Sequence, residues 1–367
     1  MNTPATAPAT APDHGTPLQH SFRLTRIGAP LEVAAEPLPQ PTGTEVLLRV
    51  HACGVCHSDL HLAEGFFDLG GGHKLDLSKG MPLPLTLGHE IAGEVLAAGP
   101  LAEGALPGQL RVAYGWIGCE TCPACRRGVE QFCDRPRALG VTRNGGFSTH
   151  VVVPHPRYLF DYGTLPQAFA ATLGCSGLTA FGALSKAAPI THDEPLLIIG
   201  AGGVGQAAIA IARAMFGVGP VVADIDPAKR EAALAAGASE AVDPQDKELR
   251  RRLLKQTDGG FAAAIDFVGM PATAELGLSV VRKGGKLIVV GLFGGSLTIA
   301  LPTLPLRGIN VVGSYVGSLT EMDQLMALAR SGVISPTAIE TRSLAQAQAT
   351  LTDLREGRIR GRAVLLP

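Results

Sequence analysis

The chain has 367 residues, 46% hydrophobic and 17% charged, which suits two or three compact domains with more than one apolar core. Lysine plus arginine (31) nearly balance aspartate plus glutamate (32), and no basic run appears. The electrostatic footprint of a nucleic-acid or anionic-membrane partner is missing, so neither partner is expected.

Residues 1–16 are mostly Ala, Thr and Pro, without the basic start and apolar core of a signal peptide. They read as a disordered tail on a cytoplasmic protein. From about residue 24 to 154 the chain offers short β-like runs (45–51, 93–98, 109–114, 147–153) broken by Gly and Pro, the pattern of an irregular, bent β domain. Within it, 66–84 reads as an extended glycine-bearing loop. After about residue 176 the style changes. Strand-like runs at 195–199, 220–223, 263–267 and 286–290 alternate with alanine-rich helical stretches at 206–216, 227–236 and 272–281. Continuous apolar strands separated by helices predict a doubly wound parallel α/β sheet covered on both faces. The uncharged run 195–212 is interrupted by glycines and a glutamine, so no membrane span is expected there. Two helix-like stretches (321–330, 344–355) and a strand-like end (362–366) do not extend the alternation.

Cys119, Cys122, Cys125 and Cys133 have the spacing C-x2-C-x2-C-x7-C. Four thiolates so placed can close a tetrahedral shell around zinc, at about 2.3 Å each. A disulfide cluster is the poorer reading in a long chain with only seven cysteines. A shell of four protein ligands leaves no open position, so this zinc is structural.

Gly200-Ala201-Gly202-Gly203-Val204-Gly205 follows an apolar strand and opens a helix placed from about Gln206. The first glycine allows the tight turn, the second lets backbone approach a pyrophosphate, and the third lets helix and strand pack closely. The helix N-terminus adds the positive end of a dipole. Asp224 closes the next strand, where an acid accepts hydrogen bonds from the adenosine ribose and repels a 2′-phosphate. NAD is thus expected over NADP. Lys229 is within reach of the same ribose, and Asp226 reads as a solvated turn residue.

Three cysteines remain: Cys53, Cys56 and Cys175. Near them lie Cys56-His57-Ser58-Asp59-Leu60-His61 and Gly88-His89-Glu90. Two thiolates and an imidazole would hold a zinc with one open position, yet spacing alone does not separate this from scattered polar residues and buried free thiols.

Taken in order, these two segments, the four-thiolate lobe, Gly174-Cys175-Ser176-Gly177-Leu178-Thr179 and the glycine loop resemble zinc-dependent medium-chain alcohol dehydrogenases, from about residue 20 to the end. The resemblance implies a Rossmann doubly wound sheet plus a GroES-like irregular β domain. The expected division is 1–175 for the GroES-like catalytic domain, 176–316 for the Rossmann domain and 317–367 for a return to the first. It implies two zinc ions per chain, the catalytic one on Cys56, His89 and Cys175, with Glu90 behind it or transiently bound and Cys53 only packing. Asp59 would fix the His89 tautomer, and Ser58 would pass the alcohol proton through the nicotinamide ribose to His61. His57 would touch the pyrophosphate, Thr179 the nicotinamide, Val268, Val290, Gly291 and Leu292 its edge, and Arg362 the phosphates. Phe67, Trp116 and Leu292 would line a pocket for a medium-sized apolar or cyclic alcohol, primary or secondary. A homotetramer, with a dimer as the alternative, would join through 308–312 as a sheet edge. An NADPH-preferring aldehyde reductase is the rival that Asp224 argues against. A catalytically silent zinc and dinucleotide binder is the rival that the intact Cys56, His89 and Cys175 argue against.

Overall fold

In the computed structural model, described for residues 17–336 and 338–367, two sheets organise the chain. The expected tail at 1–16 lies outside the described residues. The second sheet has six parallel strands in the order Glu240–Val242, Val221–Ala223, Leu196–Ile199, Phe261–Asp266, Val281–Val289, Asn310–Gly313. Its first strand, Leu-Leu-Ile-Ile, is buried throughout, as a central strand covered on both faces must be. Strand order reverses beside it, and such a switch point opens a crevice at the carboxyl ends of the strands. The glycine loop sits there. The apparent span at 195–212 divides into the strand Leu196–Ile199 and the helix Gly203–Phe216.

The other main sheet is antiparallel except where its last two strands meet, and is centred on Val46–Val55. That strand pairs with Glu90–Ala98 on one side and with the C-terminal Arg362–Leu366 on the other. The register sets Gly54 opposite Glu90 and Val55 opposite Ala363, so Cys56, Glu90 and Arg362 emerge at one end of three neighbouring strands. The chain end thereby contributes a central element to the sheet built by the N-terminal region.

One reading is corrected here. The segment 66–84 contains a hairpin, Phe66–Gly70 with His73–Asp76, and Lys74 Nζ lies 3.7 Å from the Phe66 ring centroid. His61 lies in the last turn of the helix His57–Glu64. Asp59, the third helical residue, caps that helix by accepting from the Cys56 amide at 2.9 Å. The apolar helical run with the length of a span is Gln167–Ala187, and 83% of its most apolar eighteen-residue window is buried inside the protein. It is a core helix whose hydrophobic surface is spent on packing.

Candidate active site

Cys56, His89, Glu90 and Cys175 converge, with ligand atoms all within 4.8 Å of one another. They arrive from three separate segments. Cys56 caps the helix His57–Glu64, His89 and Glu90 precede and open a strand, and Cys175 sits in a π-helical turn, Leu173–Gly177, within the long core helix. π turns bulge a helix locally, which aims a side chain an α-helix would direct elsewhere. Asp59 is fully buried and accepts from the amides of Cys56 and Gly88, at 2.9 and 3.1 Å. Its Oδ1 lies 3.4 Å from His89 Nδ1. Both His89 ring nitrogens are buried without a hydrogen-bond partner. Such orphaned atoms, beside two thiols and a carboxylate, are the donor set of a zinc site with an open position.

The charges agree. A hydrogen bond from Cys175 holds the Cys56 thiol well below its ordinary pKa against the cost of burial, while Cys175 is raised as the donor. Burial pushes Glu90 up to about 7, opposed by Arg362. Burial disfavours a charged His89, yet Asp59 and Cys56 more than offset it. The cluster thus buries the Cys56 thiolate with a thiol, a carboxyl and an imidazole where solvent cannot screen them, a donor set that a divalent cation suits by displacing their protons.

Arg362 connects this cluster to the dinucleotide crevice. Its guanidinium pairs with Glu90 Oε2, both side chains buried, and its aliphatic stem occupies the space where a Cβ on Gly203 would stand. Breaking a buried pair of this kind costs about 3–5 kcal/mol. At the loop, Gly200 has φ +93°, and a Cβ on Gly205 would overlap the Gly200 carbonyl. The helix starts at Gly203, with Gly202 as its cap, three residues before the expected Gln206. A Cβ on Gly202 would meet nothing within 4 Å, so the space before the helix N-terminus is open, as a pyrophosphate requires. Asp224 accepts from the amides of Ala201 (2.7 Å) and Asp226 (2.9 Å), which ties the loop to the next strand and leaves lone pairs for a ligand. Asp226 caps the following helix through the Ala228 amide.

The lobe is equally clear. Cys119, Cys122, Cys125 and Cys133 form the second cluster of converging ligand atoms among the described residues, and all seven cysteines are free thiols. Buried Glu130 anchors it, accepting from the Gly118 amide and Tyr158 hydroxyl, each at 3.0 Å, and pairing with Arg157.

Residues 42–162 match the alcohol dehydrogenase GroES-like domain, and residues 203–331 match the zinc-binding dehydrogenase domain. An NAD-dependent alcohol dehydrogenase of Sulfurisphaera tokodaii is 36% identical over 95% of this chain and 99% of its own length. One of Saccharolobus solfataricus reaches the same identity and coverage. The crystal structure of the Aeropyrum pernix alcohol dehydrogenase superposes with a TM-score of 0.83 at 28% identity, covering 95% of this chain and all of that one. The chain belongs to the zinc-binding medium-chain alcohol dehydrogenase family.

For a member of this family, the surroundings of the cluster carry further information. Trp116 is buried with its ring 5.3 Å from that of His89. The Phe67 ring lies tilted against that of His61 with centroids 4.7 Å apart, and the His57 ring lies 5.7 Å from that of Phe293. Burial lowers the pKa of both His57 and His61. Leu292 is 45% exposed, whereas Thr179, Val268, Val290 and Gly291 are half-buried. Sequence reasoning missed Tyr315, whose ring packs 5.4 Å from Trp116; no motif marks it. It also missed Asp266, a fully buried carboxylate accepting from the amides of Val268 and Gly269 and the hydroxyl of Thr273. The main-chain carbonyl of Asp266 accepts from Val290 and Gly291, so one residue holds both segments expected at the nicotinamide edge.

Proposed function

We propose that this protein, an NAD-dependent zinc alcohol dehydrogenase, acts on medium-sized apolar or cyclic alcohols, primary or secondary, and returns the aldehyde or ketone. The observation that carries the reading is Arg362, a single side chain touching both Glu90 in the ligand cluster and Gly203 in the phosphate loop. A substrate at the cluster and a dinucleotide on the loop are therefore neighbours. When bound, zinc supplies Lewis acidity and NAD the hydride acceptor.

The chain's own residues divide the remaining work. Cys56, His89 and Cys175 hold the catalytic zinc, and Asp59 keeps His89 in one tautomer. Ser58, whose hydroxyl lies 3.8 Å from Cys56 Sγ, takes the alcohol proton and passes it toward His61 at the end of its helix. Trp116 and Phe67 exclude water from the carbinol carbon, with Leu292 at the mouth. Gly200, Gly202, Gly203, Val204 and Gly205 cradle the pyrophosphate with His57 and Arg362, Asp224 and Lys229 hold the ribose, and Thr179, Val268, Val290, Gly291 and Leu292 frame the nicotinamide.

The same reading divides the chain at 175 and 316. It places the protein in the cytoplasm and joins copies into a tetramer through the edge strand Asn310–Gly313, where Val311 is 42% exposed. The hairpin at 66–76 is the part that admits bulkier substrates, and unchanged substrate ranking after trimming 70–76 would count against that role. A relative from Saccharolobus solfataricus, 32% identical over 94% of this chain and 96% of its own length, is a D-arabinose 1-dehydrogenase that uses NADP. The deciding experiment is a panel of primary, secondary, cyclic and aromatic alcohols with each nucleotide, alongside metal analysis. Two zinc ions per chain and faster turnover of apolar alcohols with NAD are expected. Sugars preferred with NADP would overturn the substrate and cofactor assignments.

A further inference from the structure

The helix that delivers Cys175 is not uniform. Gln167–Thr172 and Leu178–Ala187 are α-helical, and the turn between them, Leu173–Gly177, is a π turn. A π turn holds one residue more than an α turn, so the hydrogen-bond ladder slips and an amide becomes available elsewhere. The amide of Ser176 donates out of the helix to Glu90 Oε1 at 3.3 Å. Its hydroxyl donates to the Thr172 carbonyl at 2.9 Å, the acceptor that an α-helix would offer to the Ser176 amide. Ser176 is 1% exposed, so water cannot substitute for either bond. With Arg362 on Oε2, the Glu90 carboxylate is held from two sides.

We propose that Ser176 is a positioning residue for the catalytic metal: its hydroxyl keeps the π turn open, and its freed amide, with Arg362, restrains Glu90 beside the three ligands so that the fourth position stays open to substrate. A carboxylate released from one of its two tethers, within 4.8 Å of the other ligand atoms, becomes a competing ligand for a divalent ion. Without the hydroxyl, the Thr172 carbonyl recovers the Ser176 amide, and Arg362 alone restrains Glu90. This inference rests on the assignment of Cys56, His89 and Cys175 to the catalytic zinc.

The test compares Ser176→Ala with Ser185→Ala, both as full-length holoenzyme. The Ser185 hydroxyl makes the same bond on the same helix, to the Phe181 carbonyl at 2.9 Å, so it reports what losing such a bond does to the helix itself. With cobalt in the catalytic site, Ser176→Ala should absorb more weakly in the visible, because five-coordinate cobalt absorbs less than tetrahedral cobalt. The KM for alcohol should rise several-fold with the KM for NAD unchanged, and Ser185→Ala should match the native enzyme in both. A native spectrum and native KM in Ser176→Ala would overturn the proposal, as would equal changes in Ser185→Ala. A native protein carrying one zinc per chain would instead sink the underlying metal assignment.

Discussion

The two cysteine clusters solve opposite problems. The lobe takes its four ligands from one short segment, lies at the surface with Cys119 and Cys133 half-buried, and spends every coordination position on the protein. The other cluster draws its ligands from three distant segments, is buried throughout, and adds a carboxylate that Arg362 and Ser176 restrain. A site closed by local chain needs only spacing and serves stability. A site that must leave a position open needs neighbours to keep other groups out, and only distant parts of a fold supply them.

The sharpest way to break this contrast is to remove one ligand from each cluster. Cys175→Ala should lose one zinc of two and fall by about 1,000-fold or more in kcat/KM, the equivalent of several kcal/mol of transition-state stabilisation. Metal analysis and steady-state kinetics check both, and retention of two zinc ions would contradict the assignment. Cys122→Ser should also lose one zinc, yet retain turnover per folded molecule while its thermal midpoint drops by on the order of 10 °C. Calorimetry with activity at low temperature separates these effects. Equal loss of turnover in both variants would erase the distinction.

The smallest effect sharpens the proton path leaving the buried cluster. Burial holds the His61 pKa below the ordinary histidine value, and only the neutral ring accepts a proton. Alcohol oxidation should therefore rise as pH passes upward through a point below 6.5, the ordinary value for this residue. His61→Gln should remove that limb at a cost of about tenfold in kcat, less than a direct general base contributes because water replaces the end of a relay. A pH profile of kcat for both proteins decides it, and an unaltered limb in the variant would exclude His61.

How much was legible follows from how local each feature is. Cysteine spacing announced the lobe, and the strand, glycines and Asp224 announced the phosphate loop, because each is a contiguous run with its own geometric demand. The hairpin at 66–76 was hidden by glycines that look like loop filler, and the helix His57–Glu64 by the polar residues that make it functional. Tyr315 and Asp266 carry no motif. Their positions depend on strands that end beside the cluster and crevice, and a single sequence gives no sign of which strand ends meet.

By itself the sequence determined the elements and their chemistry: an apolar strand running into Gly200, a closed shell of four thiols, and the residue types able to hold an open metal. Only the tertiary structure decided what the second cluster excludes. The pairing of Val46–Val55 with Glu90–Ala98 and Arg362–Leu366 brings Cys56, Glu90 and Arg362 to one sheet end, and a π turn adds Cys175 while releasing the Ser176 amide. Strand register and helix slippage are set by long-range packing, and the physics of neighbouring residues along the chain does not contain them.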